Sequence, residues 1–523
     1  MESQYVVSIN EIEKFVKIEA GEGSNSHDGP ATIREERIKM LMEAEAEINN
    51  REERIKMLME AEAQMKAVEK AKIQNVIFLL RDHKNFVKYF EPRVASLGPI
   101  HHGNSKYQLG EKYKLLLASK FIRYCSGNNK INLYDPINCL YEKIKKEIKD
   151  LRECFEEKVT TKYDDESLAW ILFVDGCAIL QYIFCAANDK FKEFNIKNDS
   201  VAFAQQDLFL LENQVPYCLL KLLMSSSGKE DELRKSIEGF IRNVTYQKTK
   251  PQQNVKKGES SHDLQPKPIE TEPTHLLDLL RTKLLDPPQS SGKTRRCSWT
   301  RLLGDCRKFF GKMCREKQEE DPDWRSYRNV QELKAAGIQL KRSKNSYLRN
   351  VSFSRRFGFY PGFLWLPPIT VDDSTGSKFM NLIAYEMCLD FKNDFGIISY
   401  ISFLLDSLID EPNDVKYMRK ARVLHHFLGS DQQVVELFHE IGTNLVPNPE
   451  SYKDVNFQIQ DYYKNHMMIW TAEVFNKSFS NPMSIVTFLG TVVFALALTS
   501  IQTWYAVFPS PGPCDDVCKL KLE

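Results

Sequence analysis

The sequence predicts a mainly α protein: a large helical water-soluble body with a small antiparallel β element, followed by one C-terminal transmembrane helix. Three observations carry this prediction. No charged residue falls between Ser478 and Cys514, and Ile485 to Phe508 is almost continuously apolar. Ahead of that stretch, apolar residues recur at helical spacing through most of the chain. Only the segments GIQLKRSK, LRNVSFS and FLWLPPITV alternate or are rich in branched and aromatic residues, as strands are. With 523 residues, 42% hydrophobic and 27% charged, the chain has enough apolar material for a large core. Lys plus Arg number 72 and Asp plus Glu 71, a net charge of +1, which excludes a global field drawing the protein to nucleic acid or anionic lipid.

Taken in order, residues 1–72 read as a charged helical arm. The N-terminus lacks the uninterrupted apolar region and small-residue cleavage site of a secretory signal. REERIKMLMEAEA then occurs twice, from Arg34 to Ala46 and from Arg51 to Ala63, an offset of 51 − 34 = 17 residues. At about 100° per residue the second copy's face is turned by roughly 100° from the first, so a long coiled coil is not expected. A solvated helix is.

Residues 73–247 read as the first half of a helical core. Within it Leu168 to Ala187 is apolar enough to be mistaken for a membrane span. Asp175 at its centre argues for a buried helix instead, because an aspartate at mid-bilayer costs on the order of 2.5 to 3.5 kcal/mol. Pro216 is placed to begin the helix that follows LLENQ. Residues 248–327 form a polar, Pro-containing linker, a short helix from Thr274 to Leu285 and a basic insert, Lys293 to Lys317, dotted with Trp299, Phe309 and Phe310. Residues 328–480 are the second half of the core: a helix over Val330 to Gly337, the small β element, and helices resuming at Lys378.

Residues 483–508 are the transmembrane helix and 509–523 a short tail. At about 1.5 Å per residue the 24 residues from Ile485 make roughly 36 Å of helix, against a hydrocarbon core of about 30 Å. Trp504 and Tyr505 stand where interfacial aromatics belong. Because few residues follow, the expected placement is tail-anchor-like, with the body in the cytosol. The 12 cysteines are scattered, and Cys177, Cys185, Cys218 and Cys388 in apolar helical contexts are expected to be buried thiols. Sequons at Asn198, Asn243, Asn350 and Asn476 matter only if the body is luminal.

The ordered motifs EPRVASLGPIHHG (Glu91 to Gly103), VDGCAIL (Val174 to Leu180), DLFLLENQVP (Asp207 to Pro216) and THLLDLLR (Thr274 to Arg281) are followed by QELKAAGIQLK, LPPITVDDST, FMNLIAYE and NPMSIVTFLGTVVFALALTSIQTWYAV. In that order they resemble the plant DUF247 proteins, also called the UPF0481 family, from about Asn75 to Phe508. The resemblance implies a helical, single-pass membrane protein of undefined biochemical activity, with a part in recognition or signalling. The duplicated arm departs from the family pattern.

Candidate chemistry is sparse. His101 and His102 lie beside Gly98, Pro99 and Gly103, where imidazoles that titrate near neutrality meet an accessible backbone. Asp175, Asp207 and Glu212 sit in apolar surroundings that raise a carboxyl pKa and suit a general acid. Together they define the alternative function, a hydrolase using buried carboxylates and the His pair. The competing expectation is that the histidines hold a turn and the acids cap helices or pair with arginine, Asn213 or backbone amides. SSGKT, Ser290 to Thr294, fails as a phosphate loop because Pro287 stands where the first glycine belongs. No cofactor or metal is expected, since no ligand spacing supports one.

The expected partners are the lipid bilayer, an unknown protein, and a second copy of the chain packed through the membrane helix stripe Thr487, Thr491, Ala495, Thr499 and Thr503. The basic insert is a further candidate for acidic headgroups. No nucleic-acid partner is expected.

Overall fold

The computed structural model describes residues 72–127, 132–194, 196–245, 272–285, 329–355, 361–391, 395–443, 445–464 and 482–508, with Lys39 and Lys56 as isolated helical positions. The duplicated arm, the linker and the basic insert lie outside the described residues. The chain divides into two units, Met1–Glu69 and Lys70–Glu523. The second holds all the elements below.

Its first half comprises α1 (Phe86–Phe90), α2 (Gln108–Ser126), α3 (Tyr134–Lys146), α4 (Ile148–Glu153), α5 (Asp165–Asn188), α6 (Asn198–Asp207), α7 (Tyr217–Ser226) and α8 (Glu230–Thr245). Helix α5 is the hub, packed against α2, α3, α4, α7 and α8. Its start is fixed by Asp164, whose carboxylate accepts the Ser167 N–H at 2.6 Å, with Asp165 and Glu166 complementing the helix dipole. It ends where Asp189 takes a left-handed φ of 54°. Over its most apolar window it is 94% buried, so this is the core helix that Asp175 implied. Pro216 stands at the N-cap of α7, as its fixed φ suits. Gly176 lets α7 close on α5, since a Cβ there would lie 2.6 Å from Leu223 Cδ1.

The second half runs through α9 (Leu276–Leu285), α10 (Val330–Ala335), β1 (Ile338–Arg342), β2 (Ser352–Arg355), β3 (Gly362–Leu366), β4 (Ile369–Val371), α11 (Thr375–Glu386), α12 (Gly396–Ser407), α13 (Pro412–Lys420), β5 (Leu424–His426), α14 (Asp431–Ile441) and α15 (Lys453–Lys464). The fold is mainly α with small sheets, as expected. The antiparallel pairing is that of β2 with β3, Phe353 facing Leu364. Two further pairings are parallel. β3 inserts between β2 and β1, and its register with β1 puts Leu340 beside Leu364. GFLWL can take the central place because its alternate residues are buried. The second parallel pair joins β4 to β5, Ile369 beside Leu424. Strand β5 corrects the expectation of unbroken helices after Lys378: Leu424 is buried and the neighbouring β4 edge supplies the ladder that so short a strand cannot make alone. Cys218 is a second correction. It is exposed, while Cys177, Cys185 and Cys388 are buried, because α7 turns Leu219, Leu220 and Leu223 to the core instead.

One continuous apolar cluster joins the two halves, from Ile73 to Tyr462. Polar ties fix their register. Asn381 of α11 accepts the Leu211 N–H at 2.8 Å and donates to Tyr89 O and Ser377 O, each at 2.8 Å. Glu386, at the end of α11, accepts the Ile397 and Ile398 N–H groups at 2.9 Å and the Arg281 Nε–H at 2.7 Å. It therefore satisfies the open N-terminus of α12 while neutralising a buried guanidinium. Helix α16 (Pro482–Val507) follows residues outside the description. Its most apolar window is entirely unburied, and it is long and apolar enough to cross a membrane.

His275 starts α9 and is fully buried against the Tyr385 ring at 4.8 Å. Its Nδ1 accepts the Asp278 N–H at 3.1 Å while Asp278 accepts the Thr274 N–H at 2.9 Å. Only a neutral imidazole can accept there. Burial pulls its pKa down to about 4. The folded state thus resists a proton that the unfolded chain takes near pH 6.5, so this contribution is complete above about 6.5 and is lost as pH falls toward 4. We expect urea unfolding of the detergent-solubilised chain to lose roughly 3 kcal/mol over that window from this group, and His275→Gln to flatten it. An equal pH slope in both proteins would refute the assignment.

Candidate functional site

The residues singled out by the sequence meet around one short stretch of main chain. From Arg93 at the surface to Gly98 in the interior, the chain is neither helix nor strand, so its amides have no ladder to satisfy them. Side chains do so instead. Asp207, the last residue of α6, accepts the N–H groups of Arg93, Val94 and Ala95 at 2.9, 2.8 and 3.0 Å. Asn213 accepts the Leu97 N–H at 2.6 Å and donates to Ala95 O at 3.0 Å. Asp175, midway along α5, accepts the Gly98 N–H at 2.7 Å.

Lys114 of α2 completes the clamp. Its ammonium lies 2.6 Å from Asp175 Oδ1 and 2.8 Å from Glu111 Oε1, and donates to Ser96 O at 2.7 Å. Burial opposes the Lys114 charge, but Asp175 and Glu111 outweigh it and hold the group above its ordinary range. Burial pushes the Asp175 and Asp207 carboxyls up, against the cation and amides that oppose it. Two glycines admit the clamped segment. Gly98 has φ +68° and a Cβ would stand 2.4 Å from Gln214 O; at Gly110 of α2 it would stand 2.1 Å from Val94 O. Gln214 in turn donates to Leu208 O at 2.9 Å and Leu210 O at 2.7 Å, bracing the turn that carries Asn213.

The next residues lead outward. Glu212 accepts the Val76 N–H at 2.8 Å, binds Arg81 and lies 3.3 Å from His101 Nε2. Burial would raise its carboxyl, yet His101, the Val76 amide and Arg81 together hold it below its ordinary value. His102 packs edge-on to Tyr163, at 6.1 Å, whose hydroxyl donates to Pro99 O at 2.9 Å. Beyond it opens a groove of about 610 Å³ lined by His102, Tyr141, Tyr163, Glu166, Ser167 and Trp170. Trp170 is 48% exposed although it belongs to the core helix. Tyr141 meets it edge-on at 5.9 Å.

The structure thus joins His101 to Glu212, and Asp175 and Asp207 to the same backbone segment, and sends His102 to a different surface. Each carboxylate oxygen of the three acids has a protein partner. Lys114, Gly110 and Trp170 were not singled out by the sequence. A lysine among leucines in α2 and a tryptophan near the charged end of α5 were the available signals. A second imidazole–carboxylate pair also went unnoticed: His426 Nε2 lies 2.8 Å from Asp431 Oδ1, with Arg419 on the other oxygen at 2.8 Å. Among the described residues, no three His, Cys, Asp or Glu side chains converge as a metal ion requires.

In the membrane-length helix the hydroxyls of Thr491, Thr499 and Thr503 donate back to Thr487 O, Ala495 O and Thr499 O at 2.8, 2.9 and 2.7 Å. They are satisfied within their own helix.

A family model, DUF247, described as a plant protein of unknown function, matches residues 73–497. A UPF0481 protein of Arabidopsis thaliana is 25% identical over 437 residues, covering 80% of this chain and 83% of its own length. A putative UPF0481 protein of the same plant is 21% identical over 495 residues, 80% of this chain and 88% of its own. No solved structure matches.

The clamp makes a paired prediction. Alanine is the better helix former, so Gly239→Ala in α8, where a Cβ meets nothing within 4 Å, should stabilise the protein by about 0.5–1 kcal/mol. Gly110→Ala should instead destabilise it by about 2 kcal/mol or more, because backbone has to move. Urea midpoints shifting in the same direction for both would show that the segment is not held as described.

Proposed function

This chain belongs to the DUF247 family of plant proteins, whose activity is undefined, and on that premise we propose that it is a membrane-anchored recognition protein. Its helical body would face the cytosol and bind a partner protein. The observation that carries the reading is α16, 26 residues without a charge, whose large side chains are exposed: Phe488 at 54%, Phe494 at 65% and Trp504 at 62%. In water that surface is costly, whereas a bilayer solvates it and its threonine hydroxyls are already bonded. The stripe from Thr487 to Thr503 offers a second copy a close-packing face.

For the body, the groove beside His102 supports recognition over hydrolysis. The candidate acids are spent on main-chain amides, Lys114 and Arg81, so none is offered to a substrate. The groove instead presents the half-exposed Trp170 with the partly buried Tyr141 and Tyr163, residue types that most often anchor protein interfaces, together with the Glu166 carboxylate, which is at the surface 3.3 Å from Lys145 Nζ. Aromatic faces beside an acid suit an arginine or lysine side chain of the partner.

Two outcomes are expected. Alkaline carbonate should leave the full chain in the vesicle pellet and release a version ending before Pro482; equal partitioning of the two would remove the anchor, and glycosylation at Asn198 would reverse the orientation. Quantitative cross-linking in membranes should show that Trp170→Ala, a change at a half-exposed position, lowers the yield of at least one neighbour about tenfold, with the fold intact by circular dichroism. An unchanged set of neighbours would exclude the groove.

A further inference from the structure

The Sγ atoms of Cys154, just past the end of α4, and Cys218, within α7, stand 3.8 Å apart although 64 residues separate them in sequence. Cys154 caps α4, and its carbonyl accepts the Ile73 N–H at 2.8 Å, which anchors it to the chain's entry into the core. Cys218 is exposed in the first turn of α7, where unpaired helix amides favour a negative sulfur. A disulfide has an S–S distance of about 2.05 Å, so closing the gap takes less than about 2 Å of sulfur movement. Such a displacement is within side-chain rotation.

We propose that Cys154 and Cys218 are a modification site at which a hydroperoxide writes a reversible intramolecular disulfide joining α4 to α7. The contact with Cys154 is the main influence that draws the Cys218 thiol down to about 7, assisted by the Leu219 amide and its own against burial. Among the other described cysteines, burial pushes Cys125 up to about 11 and raises Cys177, Cys185 and Cys388. Cys218 is therefore the nucleophile. Its thiolate attacks one peroxide oxygen: an S–O bond forms, the O–O bond breaks, and the departing alkoxide takes a proton to leave as alcohol. The Cys154 sulfur then displaces hydroxide from the sulfenic acid. The S–S bond forms as the S–O bond breaks, and hydroxide leaves as water with the Cys154 proton. Two thiols lose two electrons and one hydroperoxide becomes one alcohol and one water, or two waters when hydrogen peroxide is the oxidant.

The cross-link would close the loop from Cys154 to Cys218, which contains α5 and one side of the groove, Tyr163, Glu166, Ser167 and Trp170, so redox state would reach the surface proposed for recognition. The modification itself is independent of that proposal.

The experiment uses the full detergent-solubilised chain, a small molar excess of hydrogen peroxide and peptide mass spectrometry. The expected result is a Cys154–Cys218 linked peptide within minutes, reversed by dithiothreitol and absent from Cys218→Ser. In Cys154→Ser, a dimedone-reactive sulfenic acid should persist at Cys218. At pH 7, Cys218 should react with iodoacetamide about tenfold faster than the exposed Cys139. The inference is overturned if both thiols survive the treatment, if Cys218 goes on to sulfinic acid in the wild type without bonding to Cys154, or if the link joins Cys218 to another cysteine.

Discussion

The structure turns on a stretch of main chain that enters the core with no secondary structure to satisfy it. Between Arg93 and Gly98, five N–H groups, those of residues 93, 94, 95, 97 and 98, are received by Asp207, Asn213 and Asp175. An amide left unpaired in such a place costs roughly 1–3 kcal/mol, so the set amounts to something on the order of 10 kcal/mol, comparable with the whole stability of a domain. This explains why acids sit in otherwise apolar helices. They replace a sheet edge. Each comes from a separate element, Asp175 from α5, Asp207 from the end of α6, Asn213 from the turn before α7, so the clamp also sets how those elements lie against each other.

The same logic recurs in the second half. Glu386 receives the α12 amides and the Arg281 guanidinium, and Asn381 receives Leu211 while donating to Tyr89 O. Buried polar side chains in this protein thus act as fasteners between segments distant in sequence. A fastener that is fully bonded is a poor catalyst, since its lone pairs are already committed. The aromatic groove outside the clamp is the contrasting case, with Trp170 half-exposed and the Glu166 carboxylate held only by a surface ion pair with Lys145.

Much of this was legible in the sequence. Asp175 in a run of apolar residues marked α5 as a core helix and separated it from α16, which has a similar length and apolarity but no such residue. Pro216 marked the start of α7, and the branched and aromatic segments near residues 338 to 371 marked the strands. Strand β5 was not legible, because LHH carries no period and becomes a strand only when β4 offers a ladder. Nor was the exposure of Cys218, which depends on which face α7 turns inward. For the site, the sequence named His101, Asp175, Asp207 and Glu212, and weighed the pairing with Asn213 and backbone amides that is observed. It did not name Lys114 or Gly110, whose roles come from a chain segment passing over α2.

By itself, then, the sequence determined the quantities that depend on local order: helical periodicity, an uncharged apolar stretch long enough for a bilayer, the order of motifs shared with a family, and an excess of acids in apolar settings. Tertiary structure alone decided what those acids touch, which histidine meets a carboxylate and which faces the groove, and that two cysteines 64 residues apart lie 3.8 Å from each other. The reason is physical. Period and hydropathy are sums over neighbours in the chain, whereas a hydrogen bond or a thiol contact depends on angstrom-scale distances between residues that only the packed core brings together.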